Sequence, residues 1–112
     1  MPQIDEADAG EEVMSTPELE RKVLFFLKII PKGKVATYKS VGNRFGLHPR
    51  VIGLIMKRNK HPELYPCFKV VKSDGEVGGY SGPGGVRRKV ELLRKDGVEF
   101  KRRINLKRYL WG

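Results

Sequence analysis

The 112-residue sequence contains one cysteine, two histidines and one tryptophan. A lone cysteine cannot close an internal disulfide, which fits a reducing compartment. Cys67, His48 and His61 fall at no zinc-like spacing, so no metal site is expected. The longest apolar stretch, "VLFFLKII", is broken by Lys28 and is far shorter than the ~20 residues a membrane-spanning helix needs. The N-terminus is acidic, without a basic-then-apolar signal pattern, so the expected location is cytoplasmic and, through DNA, nucleoid-associated, with no membrane partner. The glycine tract "GGYSGPGG" matches neither dinucleotide nor P-loop spacing, and no cofactor is expected.

Negative charge is scarce outside the first 20 residues. Those residues hold seven of the 13 acids and no Lys or Arg, leaving 23 cations against six carboxylates over residues 21–112, a formal +17. A surface of this sign attracts polyanions, because each neutralised phosphate releases condensed counterions. Nucleic acid is therefore the expected partner, ahead of a merely solubilising charged face.

Residues 1–15 are polar, acidic and aperiodic and read as a disordered tail. Residues 16–112 suffice for one domain with a single modest core. "STPELERKVLFFLKII" opens with Thr16 as N-cap and Pro17 at the first helical position, with Val23, Phe26, Leu27 and Ile30 facing inward. "TYKSVGNRFGL" predicts a short helix capped by Thr37 and stopped at Gly46. "HPRVIGLIMKRN" predicts another, with Val51, Leu54 and Ile55 on one apolar face and Arg50, Gly53 and Lys57 lining another. These two helices fit a helix-turn-helix or an ordinary helical hairpin equally well. Gly53 costs ~1 kcal/mol relative to Ala in a helix, so close approach of another backbone is one reason for it. The Asp-Gly pair in "KVVKSDGEVGGYSG" predicts a small hairpin or wing. "PGGVRRKVELLRKDG" predicts a helix with Val86, Val90 and Leu93 inward. The closing "VEFKRRINLKRYLWG" is fit either to pack on the core or to hold a nucleic-acid backbone. The fold class is mainly α: a winged helix-turn-helix with a three-helix core, a small β-hairpin and a C-terminal helix.

Cys67 sits in "PCFKVV", between a proline that disfavours regular helix and an apolar run. In a basic protein such a thiol is a candidate thiolate nucleophile, since nearby cations favour the anion. Buried filler is an equally good reading, because cysteine is among the most buried residue types.

The segments "KVATYKSVG", "PRVIGLIMKRN", "YPCFKVVKSDGEVGGYSGPGG", "ELLRKDGV" and "NLKRYLW", in this order, resemble the DNA-binding, alkyl-acceptor domain of O6-alkylguanine-DNA alkyltransferases over about residues 17–112. They also resemble the related alkyltransferase-like proteins, which bind lesions without repairing them. The resemblance implies a monomer that binds double-stranded DNA containing O6-alkylguanine through the minor groove. The helix beginning near Pro49 would enter that groove along its Gly53 and Lys57 face, and Arg50 would fill the gap left by the flipped base. Tyr38 would press on the adjacent phosphate. The base would rest against Tyr80, with the Ser81 amide at its O6 and the carbonyls of Cys67 and Val70 accepting from its amino group. Cys67 would take the alkyl group irreversibly, and Asn59 would brace the active-site loop.

Three positions depart from the family pattern. Phe68 stands where the family has the histidine that takes the thiol proton, Asp96 stands for the glutamate behind it, and Lys69 stands for an arginine expected at the DNA. The resemblance therefore implies a single-turnover DNA–protein-cysteine S-methyltransferase whose proton relay lacks its central member. A non-enzymatic lesion sensor that recruits other repair proteins is the alternative, and a sequence-specific helix-turn-helix regulator is a third.

Overall fold

The structure, a computed structural model, describes residues 16–112; the expected acidic tail, residues 1–15, lies outside them. In chain order the elements are α1 (Pro17–Lys28), β1 (Ala36–Thr37), α2 (Tyr38–Phe45), α3 (Pro49–Lys57), a 3-10 turn (Cys67–Lys69), β2 (Val70–Val71), α4 (Gly85–Lys95) and α5 (Leu106–Tyr109). The mainly helical class expected from the sequence is the one observed.

Local chemistry sets the helix ends. The Thr16 hydroxyl accepts from the Leu19 N–H at 3.1 Å and starts α1. Thr37 and Ser40 form a reciprocal capping box at α2, with both side chain–backbone bonds at 2.9 Å. Gly46 ends α2 in the left-handed region at φ +68°, where a side chain would be strained. The turn to α3 is tight: a Cβ on Gly42 would collide with the Leu47 carbonyl. His48 Nδ1 then accepts from the Arg50 N–H at 3.0 Å and opens α3.

Two apolar clusters form the core. Val23 and Leu27 of α1, Ile30, Val41 of α2 and Val51, Ile52, Ile55 and Met56 of α3 make the first, which also takes in Cys67 and Val70. Val35, Val71, Leu93, Val98, Ile104 and Tyr109 make the second. Each fully buried Val, Leu or Ile contributes roughly 1.5–3 kcal/mol. The C-terminal segment packs inward: Ile104 and Tyr109 are buried, and the Trp111 ring lies 5.6 Å from Phe26.

Three local expectations need correction. The two strands pair in parallel, Ala36 with Val70 and Thr37 with Val71, so no antiparallel hairpin follows β2. The Asp-Gly turn does form, with the Gly75 N–H bonded to the Lys72 carbonyl at 2.9 Å, but Gly75 in turn binds the Ile104 N–H at 2.8 Å. Leu54 is only half-buried, because the buried face of α3 is turned toward Ile52 and Met56. On α4, Val86 is 50% exposed, whereas Lys89 is 1% exposed.

Candidate functional site

Cys67 begins the 3-10 turn and is 4% exposed. Its N–H bonds the Tyr65 carbonyl at 2.7 Å. Asn59, itself buried, fixes that approach: Nδ2 donates to the Tyr65 carbonyl at 2.8 Å and Oδ1 accepts from the His61 N–H at 3.0 Å. One residue thus ties the end of α3 to the loop that delivers the thiol.

Cys67 lines a cavity of about 360 Å³ together with Tyr38, Gly53, Met56, Lys57, Gly79, Tyr80 and Ser81. Of the residues singled out in the sequence, Cys67, Tyr38, Gly53, Lys57, Tyr80 and Ser81 therefore meet at one place. Ser81 Oγ donates to the Met56 carbonyl at 3.2 Å and pins its loop to α3. A Cβ on Gly82 would lie 2.6 Å from the Tyr80 ring, so the ring stands directly over this glycine. Next to the cavity runs an open groove of about 610 Å³, which shares Tyr38, Gly53, Lys57 and Gly79 with it and adds Arg50, Lys39 and Lys72. Among the described residues, nothing beyond its chain neighbours and its own helix backbone lies within 4 Å of where a Cβ on Gly53 would stand, so that space is open to a partner.

Val70 is fully buried and does not line the cavity. Its carbonyl accepts from Lys89 Nζ at 2.7 Å, and the Cys67 carbonyl accepts from the Val70 N–H. Each carbonyl retains a second lone pair.

Two assignments change. Lys69 does not face the groove: it is 4% exposed, and its Nζ donates to the carbonyls of Pro31 and Lys34 at 2.8 and 3.1 Å and to Asp96 Oδ2 at 2.7 Å. A cation with its donors satisfied internally has none left for a phosphate. Asp96 is its ion-pair partner and also accepts from the Gly33 N–H at 2.9 Å. The pair joins the α1–β1 turn to the end of α4 and lies outside the cavity lining.

The electrostatics of the thiol are mixed. Burial pushes the Cys67 thiol up, while the Asn59 side chain and the Lys89 charge pull it back. Burial, reinforced by Cys67, also raises Tyr38 and Tyr80. Among the described residues, no imidazole or carboxylate lines the cavity. His48 caps α3, and His61 is exposed beside Glu63 at 3.5 Å. Phe68 is absent from the cavity lining and lines a neighbouring hollow with Pro62, Pro66, Tyr80 and Pro83.

Sequence reasoning missed Lys89 altogether. The signal was its place four residues before Leu93, on the buried face of α4.

The model of the DNA-binding domain of 6-O-methylguanine DNA methyltransferase matches residues 18–98. A methylated-DNA–protein-cysteine methyltransferase from Pyrobaculum aerophilum is 42% identical over 87 residues, covering 78% of this chain and 57% of that protein. Its counterpart from Methanothermobacter thermautotrophicus is 42% identical over 81 residues, covering 72% of this chain and 45% of that protein. The chain thus spans about half the length of these curated relatives. Among solved structures, S. pombe Atl1 bound to damaged DNA containing O6-carboxymethylguanine is similar at a TM-score of 0.78 and 28% identity, covering 88% of this chain and 99% of that one. The O6-methylguanine-DNA methyltransferase of Pyrococcus kodakaraensis strain KOD1 is similar at a TM-score of 0.66 and 31% identity, covering 88% of this chain and 68% of that one. With its fold, its groove and its single thiol, this chain belongs to the 6-O-methylguanine DNA methyltransferase family, through the DNA-binding domain.

Proposed function

We propose that residues 16–112 bind duplex DNA along the α3 groove, receive a flipped O6-alkylguanine in the cavity and transfer its alkyl group to Cys67. The observation that carries this reading is the position of the thiol in the lining of a cavity that shares four residues with a basic groove. A stacked base hides its O6 substituent from any side chain, so flipping must precede transfer. Arg50, exposed at the first turn of α3, fills the stack, and Tyr38 acts at the neighbouring phosphate. The thiolate then attacks the alkyl carbon, the carbon–O6 bond breaks, and the electron pair leaves with the guanine oxygen.

Without a base in the cavity, the thiol must lose its proton to solvent. General-base help is typically worth ~100- to 10,000-fold, so transfer is slow at neutral pH and speeds up as the raised thiol titrates. The same observation favours a second reading, a lesion sensor that keeps its thiol without using it.

The binding half is tested with Cys67→Ser, which holds the lesion without reacting. Its affinity for a duplex containing O6-methylguanine should exceed that for the undamaged duplex, and Arg50→Ala should remove most of the difference. Equal affinities, or a preference that follows base sequence instead, would make the protein a general or sequence-specific DNA binder.

A further inference from the structure

Lys89 is the largest fully buried side chain among the described residues. Its Nζ donates to the Val70 carbonyl at 2.7 Å, to the Gly79 carbonyl at 2.9 Å and, in a longer contact, to the Tyr38 hydroxyl oxygen at 3.5 Å. These acceptors come from three different places. Val70 continues the chain from Cys67, Gly79 precedes Tyr80, and Tyr38 opens α2. Three of the chain segments around the cavity converge on one nitrogen, and no carboxylate pairs with it among the described residues.

The donor inventory makes this arrangement depend on one proton. An ammonium has three N–H donors and no lone pair, so it can serve all three acceptors. The Tyr38 oxygen then accepts, and its own O–H is left to donate elsewhere. A neutral amine has two N–H donors and one lone pair. With both donors held by the shorter carbonyl contacts, it can meet Tyr38 only by accepting the tyrosine's O–H.

We infer that Lys89 is a positioning residue for lesion binding, and that its proton decides whether the Tyr38 hydroxyl donates outward to bound DNA or inward to Nζ. The inference rests on the lesion-binding reading above. With Lys89 neutral, Tyr38 presents only lone pairs to a phosphate oxygen, which repels them. With Lys89 charged, Tyr38 presents a donor.

The switch lies within reach of ordinary buffers. Burial lowers the Lys89 ammonium to about 8, and the charge on Cys67 opposes that shift. Lys89 stands behind the cavity wall, and the titratable groups of the lining itself are Tyr38, Tyr80, Cys67 and Lys57. The two tyrosines are raised, so they stay neutral while Lys89 titrates, and the thiol is replaced in the Cys67→Ser protein used below.

The experiment measures the ratio of affinities for undamaged and O6-methylguanine duplexes between pH 7 and pH 9, at fixed salt. It uses the full chain in the Cys67→Ser background, so no transfer occurs. The lesion preference should fall about tenfold or more across this range. In Lys89→Arg, whose guanidinium stays charged throughout this range, the preference should stay level. In Tyr38→Phe, which has no O–H to redirect, it should be lower and equally level. Should Lys89→Arg fail to fold by circular dichroism, Tyr38→Phe carries the test. A preference in the parent that does not change with pH, or a fall that persists in either variant, would overturn the inference alone. No lesion preference at any pH would overturn the lesion reading and the inference with it.

Discussion

Lys69 and Lys89 are both buried and both donate to backbone carbonyls, yet they differ in what else they meet. Lys69 has a carboxylate, Asp96 Oδ2 at 2.7 Å, outside the cavity lining. Lys89 has only neutral oxygens, and one of them belongs to Tyr38 in the cavity wall. A buried charge with an opposite charge beside it serves as a tie, and removing one partner strands the other. A buried charge held by dipoles alone can lose its proton near neutral pH, so it can change state without unfolding the domain. The same residue type thus builds a brace outside the cavity lining and a titrating group against the cavity wall.

The contrast can be broken most forcefully at the brace. Lys69→Met leaves Asp96 without its cation and should cost about 3 kcal/mol, which lowers Tm by roughly 4–8 °C per kcal/mol for a domain of this size. Combining it with Asp96→Leu should recover part of the loss in a thermal-melt double-mutant cycle. Simple addition of the two single losses would show that the pair is not a tie.

The second prediction concerns stability against pH. Folded Lys89 gives up its proton near pH 8, while the unfolded chain keeps it to about 10.5. Between those values the unfolded state binds more protons, so stability rises with pH, by up to about 3 kcal/mol. Denaturant melts at pH 7.5 and pH 10 should show this rise against Lys89→Met, which lacks it. Parallel curves for the two proteins would mean that Lys89 titrates like a surface lysine.

The smallest effect is expected at Gly53, where the protein leaves space unused. Gly53→Ala should stabilise the free domain by ~1 kcal/mol through helix propensity, with a methyl group meeting no protein atom. The same variant should bind duplex DNA less tightly, because the methyl group stands in the groove. Unchanged DNA affinity in filter binding would place the duplex elsewhere.

The parts of the fold legible in the sequence are those governed by neighbours in the chain. Thr16, Thr37 and Gly46 set helix ends through bonds spanning a few residues, and those ends fall where expected. The pairing of Ala36 with Val70 joins segments distant in sequence, and no local pattern states its direction. Lys69 was placed at the DNA through the resemblance, and Lys89 was passed over because a charged side chain on an amphipathic helix reads as surface; only tertiary contacts supply the acceptors that bury either one. At the site, Cys67, Tyr38, Tyr80 and Ser81 were legible because the family resemblance fixed them in order. Lys89 carried no such label, and the inward position given to Val86 belongs to it.

The central claim, transfer to Cys67, is tested most directly by intact-protein mass spectrometry. The 112-residue chain is incubated at pH 8 with excess duplex containing O6-methylguanine, beside Cys67→Ser. The account predicts one stable gain of about 14 Da, the mass of a methyl group replacing the thiol proton, accumulating slowly on Cys67 and absent from the serine variant. No gain after prolonged incubation, with lesion-selective binding intact, would contradict transfer and leave the chain a sensor.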